Sequence, residues 1–145
     1  MKKQVILKLF CTLLIVAISI ISLSSCGLVK IDYYSNKENY IVVTEEVSRI
    51  LFDESQSTVY LNFSELNVSF QIVGKNALIV MERGILDKIK KGDIIEFITA
   101  PRYFGNGYFL PIVSVTVGDE ELLSFEEGYE NYLEWLKHDI PSMIC

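Results

Sequence analysis

The 145-residue sequence holds one histidine, His138, one tryptophan, Trp135, and three cysteines, Cys11, Cys26 and Cys145. A Cys/His zinc centre needs three or four ligands, which this inventory does not supply. Nucleophilic catalysis needs a nucleophile, a base and an orienting group. The single histidine falls at the end of a predicted helix, where an interaction with the helix dipole accounts for it. Positive charge is also short, with 13 Lys and Arg against 19 Asp and Glu and a formal charge of −6. An acidic chain gains no counterion-release energy from a phosphate backbone, which argues against nucleic acid. Long apolar runs are limited to one, and it is shorter than the ~20 residues of a bilayer-spanning helix.

That run opens the chain. Lys2, Lys3 and Lys8 precede an apolar stretch from Leu9 to Ile21, and small residues Ser22, Ser24 and Ser25 follow. Charge, apolar core and small residues in that order are the pattern of an export signal. Leu23-Ser24-Ser25-Cys26 resembles the lipobox of bacterial lipoproteins, an aliphatic residue and two small ones before a cysteine. The resemblance covers residues 1–26. It implies diacylglyceryl transfer to the Cys26 sulfur, cleavage after Ser25, and lipid anchoring of the mature chain on the extracytoplasmic face of a membrane. Gly27 permits outer-membrane sorting if the host has two membranes.

Cleavage would remove three lysines and no acid, taking the formal charge from −6 to −9. Such a domain is repelled by anionic headgroups and anionic wall polymers, so membrane contact is expected from the acyl chains and not from a basic patch. With Cys11 lost and Cys26 acylated, Cys145 stands alone and no internal disulfide is expected. The expected organisation is a signal peptide over 1–25, an acylated N-terminus and polar spacer over 26–39, and one globular domain over 40–145.

Within that domain, "YIVVTEEVSRILFD" places Ile41, Val43, Val47 and Leu51 on one face at period two and reads as a strand, with a helix from Thr44 as the competitor. "TVYLNF" alternates cleanly, and "VSFQIV" is a further short strand ending at Gly74. Asn76 suits the N-cap of a helical stretch carrying Leu78, Met81 and Ile85 on one side, interrupted at Gly84. "DIIEFITA" and "GYFLPIVSVTV" supply two more strands. Three strands, a helix and two strands is the order of the OB-fold, a five-stranded Greek-key barrel that the chain resembles in topology. The expected class is mainly β, an OB-fold-like barrel with an intervening short helix. An open α+β sheet and an SH3-like barrel are the alternatives.

A C-terminal amphipathic helix follows. Ser124 and Glu127 have capping-box spacing. Phe125, Tyr129, Tyr132, Leu133 and Leu136 form an apolar stripe with Trp135 beside it, Glu126, Glu127, Glu130 and Glu134 take the other side, and Pro141 ends the helix. The stripe is read as core packing.

Chemistry-bearing constellations are few. The acidic pairs Glu45-Glu46, Asp53-Glu54 and Glu126-Glu127 read as solvated strand, turn and helix-start positions. Asp119-Glu120-Glu121 lacks the spacing of an EF-hand, and Gly105 and Gly107 are followed by no Lys-Ser/Thr and open no helix. The segment above background is "APRYFGNGYFLP", in which Tyr103, Phe104, Tyr108 and Phe109 surround an Asn106-Gly107 turn signal. Arg102, Tyr103, Phe104 and Tyr108 are the candidate ligand-binding residues, against a reading as cross-strand pairs that cover the core. The functional expectation is a non-catalytic binding or accessory lipoprotein with no cofactor, engaging an envelope protein or glycan. A regulatory or inhibitor-type partner acting through the acidic helix is the alternative, and a small envelope hydrolase is a third.

Overall fold

The computed structural model describes residues 30–104 and 108–139. The leader, Cys26, the Asn106-Gly107 turn, Pro141 and Cys145 lie outside these residues. Residues 30–35 are helical (α1) and run into a 3-10 turn at Lys37–Asn39. Six strands follow, β1 (Ile41–Asp53), β2 (Thr58–Phe63), β3 (Ser69–Val73), β4 (Ile94–Thr99), β5 (Phe109–Val117) and β6 (Glu120–Leu123). Helices α2 (Gly74–Glu82) and α3 (Ile85–Lys88) lie between β3 and β4, and α4 (Phe125–Asp139) ends the described chain.

β1 is long enough to serve two partners. Its first half pairs antiparallel with β4, from Ile41↔Thr99 to Glu46↔Ile94, and its second half with β2, from Val47↔Phe63 to Asp53↔Thr58. β2 pairs antiparallel with β3, and β4 with β5. The parallel pairing of β3 with β5, from Ser69↔Phe109 to Gln71↔Pro111, closes the circuit. Around the barrel the order is therefore β1-β2-β3-β5-β4-β1, with helices between β3 and β4. This is the OB-fold-like topology the element order suggested, and closure leaves neither an open sheet nor an SH3-like arrangement.

The interior follows from alternation. Val59, Leu61 and Phe63 from β2, Phe70 and Ile72 from β3, Ile95 and Phe97 from β4, and Leu110, Ile112 and Val115 from β5 are all buried. Phe63 stacks on Phe97 with ring centroids 4.5 Å apart, and Phe70 meets both edge-on at 5.3 and 5.1 Å. Each such ring contributes about 2–3 kcal/mol by burial, and the pairs add about 0.5–1.5 kcal/mol each. A second cluster forms outside the barrel, where Tyr132 and Leu136 of α4 cover Val113 and Val73.

Four local expectations change. The face predicted for β1 holds only in part, because a register irregularity between Val47 and Arg49 reverses the parity. Ile50 and Phe52 pack on the core, and Leu51 is 46% exposed, as Ile41 is at 47%. The helix starts at Gly74, not at an Asn76 cap, since the Asn76 side chain is buried and bonds to α4. Its buried face is Asn76, Ala77 and Val80 while Leu78 faces solvent, because the left-handed Gly84 breaks the periodicity before Ile85. Glu120–Leu123, outside the five expected strands, adds a sixth strand to β5, and Arg83 Nη1 donates to the Leu122 carbonyl at 2.8 Å.

The fourth change concerns the spacer. Its described part, residues 30–39, packs on the domain. Tyr34 is 3% exposed, and its hydroxyl donates to the Arg102 carbonyl at 3.0 Å. The Tyr40 hydroxyl donates to the Tyr34 carbonyl at 2.9 Å, and Tyr129 of α4 donates to the Ser35 carbonyl at 2.6 Å. Aromatic surface explains the docking: Tyr33, Tyr34 and Tyr40 bring more apolar area than a hydrated linker leaves in water.

Candidate functional site

The outer wall of the barrel is divided. α4 covers the part built from β5, β4 and the end of β3, while the outward positions of β1, β2 and the start of β3 remain open. Register assembles them. Arg49 pairs with Asn62, Asn62 with Ser69, and Ser69 with Phe109. One row along, Leu51 pairs with Tyr60 and Tyr60 with Gln71. Arg49, Leu51, Tyr60, Asn62, Ser69 and Phe109 thus line an open groove of about 290 Å³.

Its chemistry is mixed. The Tyr60 and Phe109 rings lie 4.9 Å apart at 49°, and Phe109 is 39% exposed. The Tyr60 hydroxyl donates to Gln56 Oε1 at 2.9 Å, which holds the ring upright from the β1–β2 turn. That turn is shaped by Asp53, whose carboxylate accepts from Ser55 Oγ at 2.6 Å and from the backbone N–H groups of Ser55 and Gln56. The Ser55 hydroxyl, followed by those amides, lowers the Asp53 pKa. Asn62 Nδ2 donates to Ser69 Oγ at 2.7 Å, leaving the amide oxygen and the serine proton for further bonds. Arg49 makes no ion pair among the described residues.

The sequence-selected residues separate into two places. Phe104 is half-buried in the second cluster, 5.3 Å from Tyr33 and 5.4 Å from Tyr34 by ring centroid. Arg102 is exposed, its guanidinium 5.2 Å from the Tyr33 ring and 4.8 Å from that of Phe104. Both therefore stand on the α1 side of the β4–β5 connection. Tyr108, which precedes Phe109, is 78% exposed, and Tyr103 is 42% exposed. None of these four residues lines the groove; Tyr108 adjoins it only as the chain neighbour of Phe109. Arg49, Tyr60, Asn62 and Ser69 escaped the sequence reading, although their signal was present: outward strand positions that carry an aromatic, an amide, a hydroxyl and a cation in place of featureless polar residues.

Other candidates are placed plainly. His138 is exposed in the last turn of α4. Among the described residues no three His, Cys, Asp or Glu side chains gather as a metal site would require, and no helix is long and apolar enough to cross a membrane. On the acidic side of α4, Glu126 pairs with Lys37 at 2.7 Å and Glu127 with Arg83 at 3.1 Å. The Ser124 hydroxyl accepts from the Glu127 N–H at 3.4 Å, so half of the expected capping box is made. Comparison of the sequence with protein-family models and with curated proteins returns no match.

Proposed function

We propose that this chain is a lipid-anchored extracytoplasmic binding module whose open β1–β2–β3 face engages an envelope glycan, without catalysis. The observation that carries the reading is the groove itself. A tilted ring pair, Tyr60 and Phe109, stands beside the Asn62–Ser69 hydrogen-bonding pair and the uncommitted Arg49. Aromatic faces suit the apolar faces of sugar rings, and neighbouring amides and hydroxyls suit sugar hydroxyls. Barrels of this topology bind oligosaccharides and oligonucleotides across the same strands. The acidic charge disfavours the second class. The anchor part of the reading rests on the lipobox-like Leu23-Ser24-Ser25-Cys26.

Co-sedimentation with purified cell-wall glycan tests it, with Tyr60→Ala and Arg49→Glu beside the wild type. Retention of the wild type and loss of about tenfold in affinity for Tyr60→Ala, the scale of one interface anchor, is the expected result. Equal retention of both variants and the wild type would contradict the assignment. An envelope protein captured through Arg49 and Tyr60, with no glycan retained, would change the ligand class and keep the site.

A further inference from the structure

We propose that Arg102, Tyr103 and the adjoining Tyr33 rest on the headgroup layer of the bilayer that holds the acylated Cys26, fixing the barrel in one orientation. The inference rests on the lipid-anchor reading above, and its geometry comes from the docked α1. Four Cα–Cα steps separate Cys26 from Lys30. At no more than ~3.6 Å each, they span about 14 Å at most, whatever conformation they take. Lys30 to Tyr34 is helical, adding about 6 Å along the axis. The lipidated residue therefore lies within about 20 Å of Tyr34, whereas a domain of this size has a radius of gyration of about 13 Å and is wider than that tether is long.

Tyr34 is tied directly to the β4–β5 connection. Its hydroxyl donates to the Arg102 carbonyl at 3.0 Å, and Arg102 covers the Tyr33 ring. Whatever surrounds this contact faces the bilayer. On the β4–β5 side what surrounds it fits an interface: Tyr103 is 42% exposed, Arg102 is exposed, and residues 97–118 contain no acidic residue although the chain is acidic overall, while α1 adds one exposed acid, Asp32. Tyrosine rings settle at the headgroup level, apolar body inward and hydroxyl outward. A guanidinium offers a planar fork to a lipid phosphate. The acyl chains supply the affinity and this patch supplies the orientation. In that orientation the β1–β2 turn, at the far end of the β2–β3 ladder from the start of β5, points away from the membrane.

The test uses the full-length lipidated protein in phosphatidylcholine vesicles containing a headgroup-nitroxide lipid. Tryptophan is introduced by Tyr103→Trp or, in the β1–β2 turn, by Glu54→Trp, with Trp135 kept as a common background. Flotation confirms anchoring, and mass spectrometry confirms the acyl chains on Cys26. The nitroxide should quench the Tyr103→Trp emission and leave that of Glu54→Trp near its level in plain vesicles. Adding Arg102→Glu to Tyr103→Trp should reduce the quenching. Equal quenching at the two positions in an anchored protein would overturn the orientation alone. A Cys26 without acyl mass would overturn the anchor reading, and the orientation with it.

Discussion

Gly128 sits where α4 presses hardest on the barrel. A Cβ at that position would lie 1.9 Å from the Val113 carbonyl oxygen and 3.1 Å from Leu123 Cδ2, so β5 or α4 would have to move. The Gly128 carbonyl also accepts from the buried Asn76 amide at 2.7 Å, and Asn131 Nδ2 donates to Asn76 Oδ1 at 3.0 Å. Gly128→Ala is expected to lower stability by about 3 kcal/mol, the upper range for overpacking, read as a shift of the urea midpoint. An unchanged midpoint would mean that α4 docks elsewhere. Little of this was legible in the sequence. A lone glycine inside a helical pattern reads as a weak helix position, and Asn76 before an apolar run reads as a cap. Only the tertiary approach of α2, α4 and β5 gives both residues their use.

At the scale of elements, the N-terminal segment and α4 form a tyrosine-rich seam. The Tyr34 and Tyr132 rings meet edge-on at 5.3 Å, as Tyr40 and Tyr129 do at 5.6 Å. Burial pushes the Tyr34 pKa up to about 12 and raises those of Tyr40 and Tyr132 as well. In the unfolded chain a tyrosine loses its proton near pH 10. Between these values the unfolded state binds fewer protons than the folded one, so stability falls as pH rises, by about 1.4 kcal/mol per pH unit for each such group. Below pH 10 the contribution is intact. Tyrosinate absorbance followed from pH 9 upward should show a late fraction, from Tyr34, Tyr40 and Tyr132, that appears above the ordinary tyrosine range and together with loss of helix. Titration of all tyrosines together near pH 10 without unfolding would contradict the packed seam.

The strands were legible where alternation is clean, as in "TVYLNF", because one face of a barrel strand is always buried. They were less so where backbone geometry intervenes. The irregularity after Val47 exchanged the two faces of β1. β6 was hidden because Glu120 and Glu121 occupy half of its four residues. The spacer looked hydrated because its two tyrosines, Tyr33 and Tyr34, stand among charges and turn formers, and a residue count does not reveal that they pack on Phe104 and on Tyr132 of α4.

At the scale of the molecule, closure of the barrel decides what can be a site. Arg49, Tyr60, Ser69 and Phe109 span 60 positions of sequence and become neighbours only through three strand pairings. For that reason the sequence directed attention to the contiguous aromatics of residues 100–111. That segment divides between two faces, with Phe104 and Arg102 toward the docked N-terminus and Phe109 in the groove. Under the proposed function, the domain stays on its membrane through the acyl chains of Cys26 and uses one open wall.

The measurement that bears most directly on this is backbone chemical-shift mapping of the lipidated protein in nanodiscs, during titration with soluble cell-wall oligosaccharide. The account predicts shifts concentrated at Arg49, Leu51, Tyr60, Asn62, Ser69 and Phe109, with α4 unmoved. Shifts confined to Glu130 and Glu134 on α4, or none at saturating oligosaccharide, would contradict it.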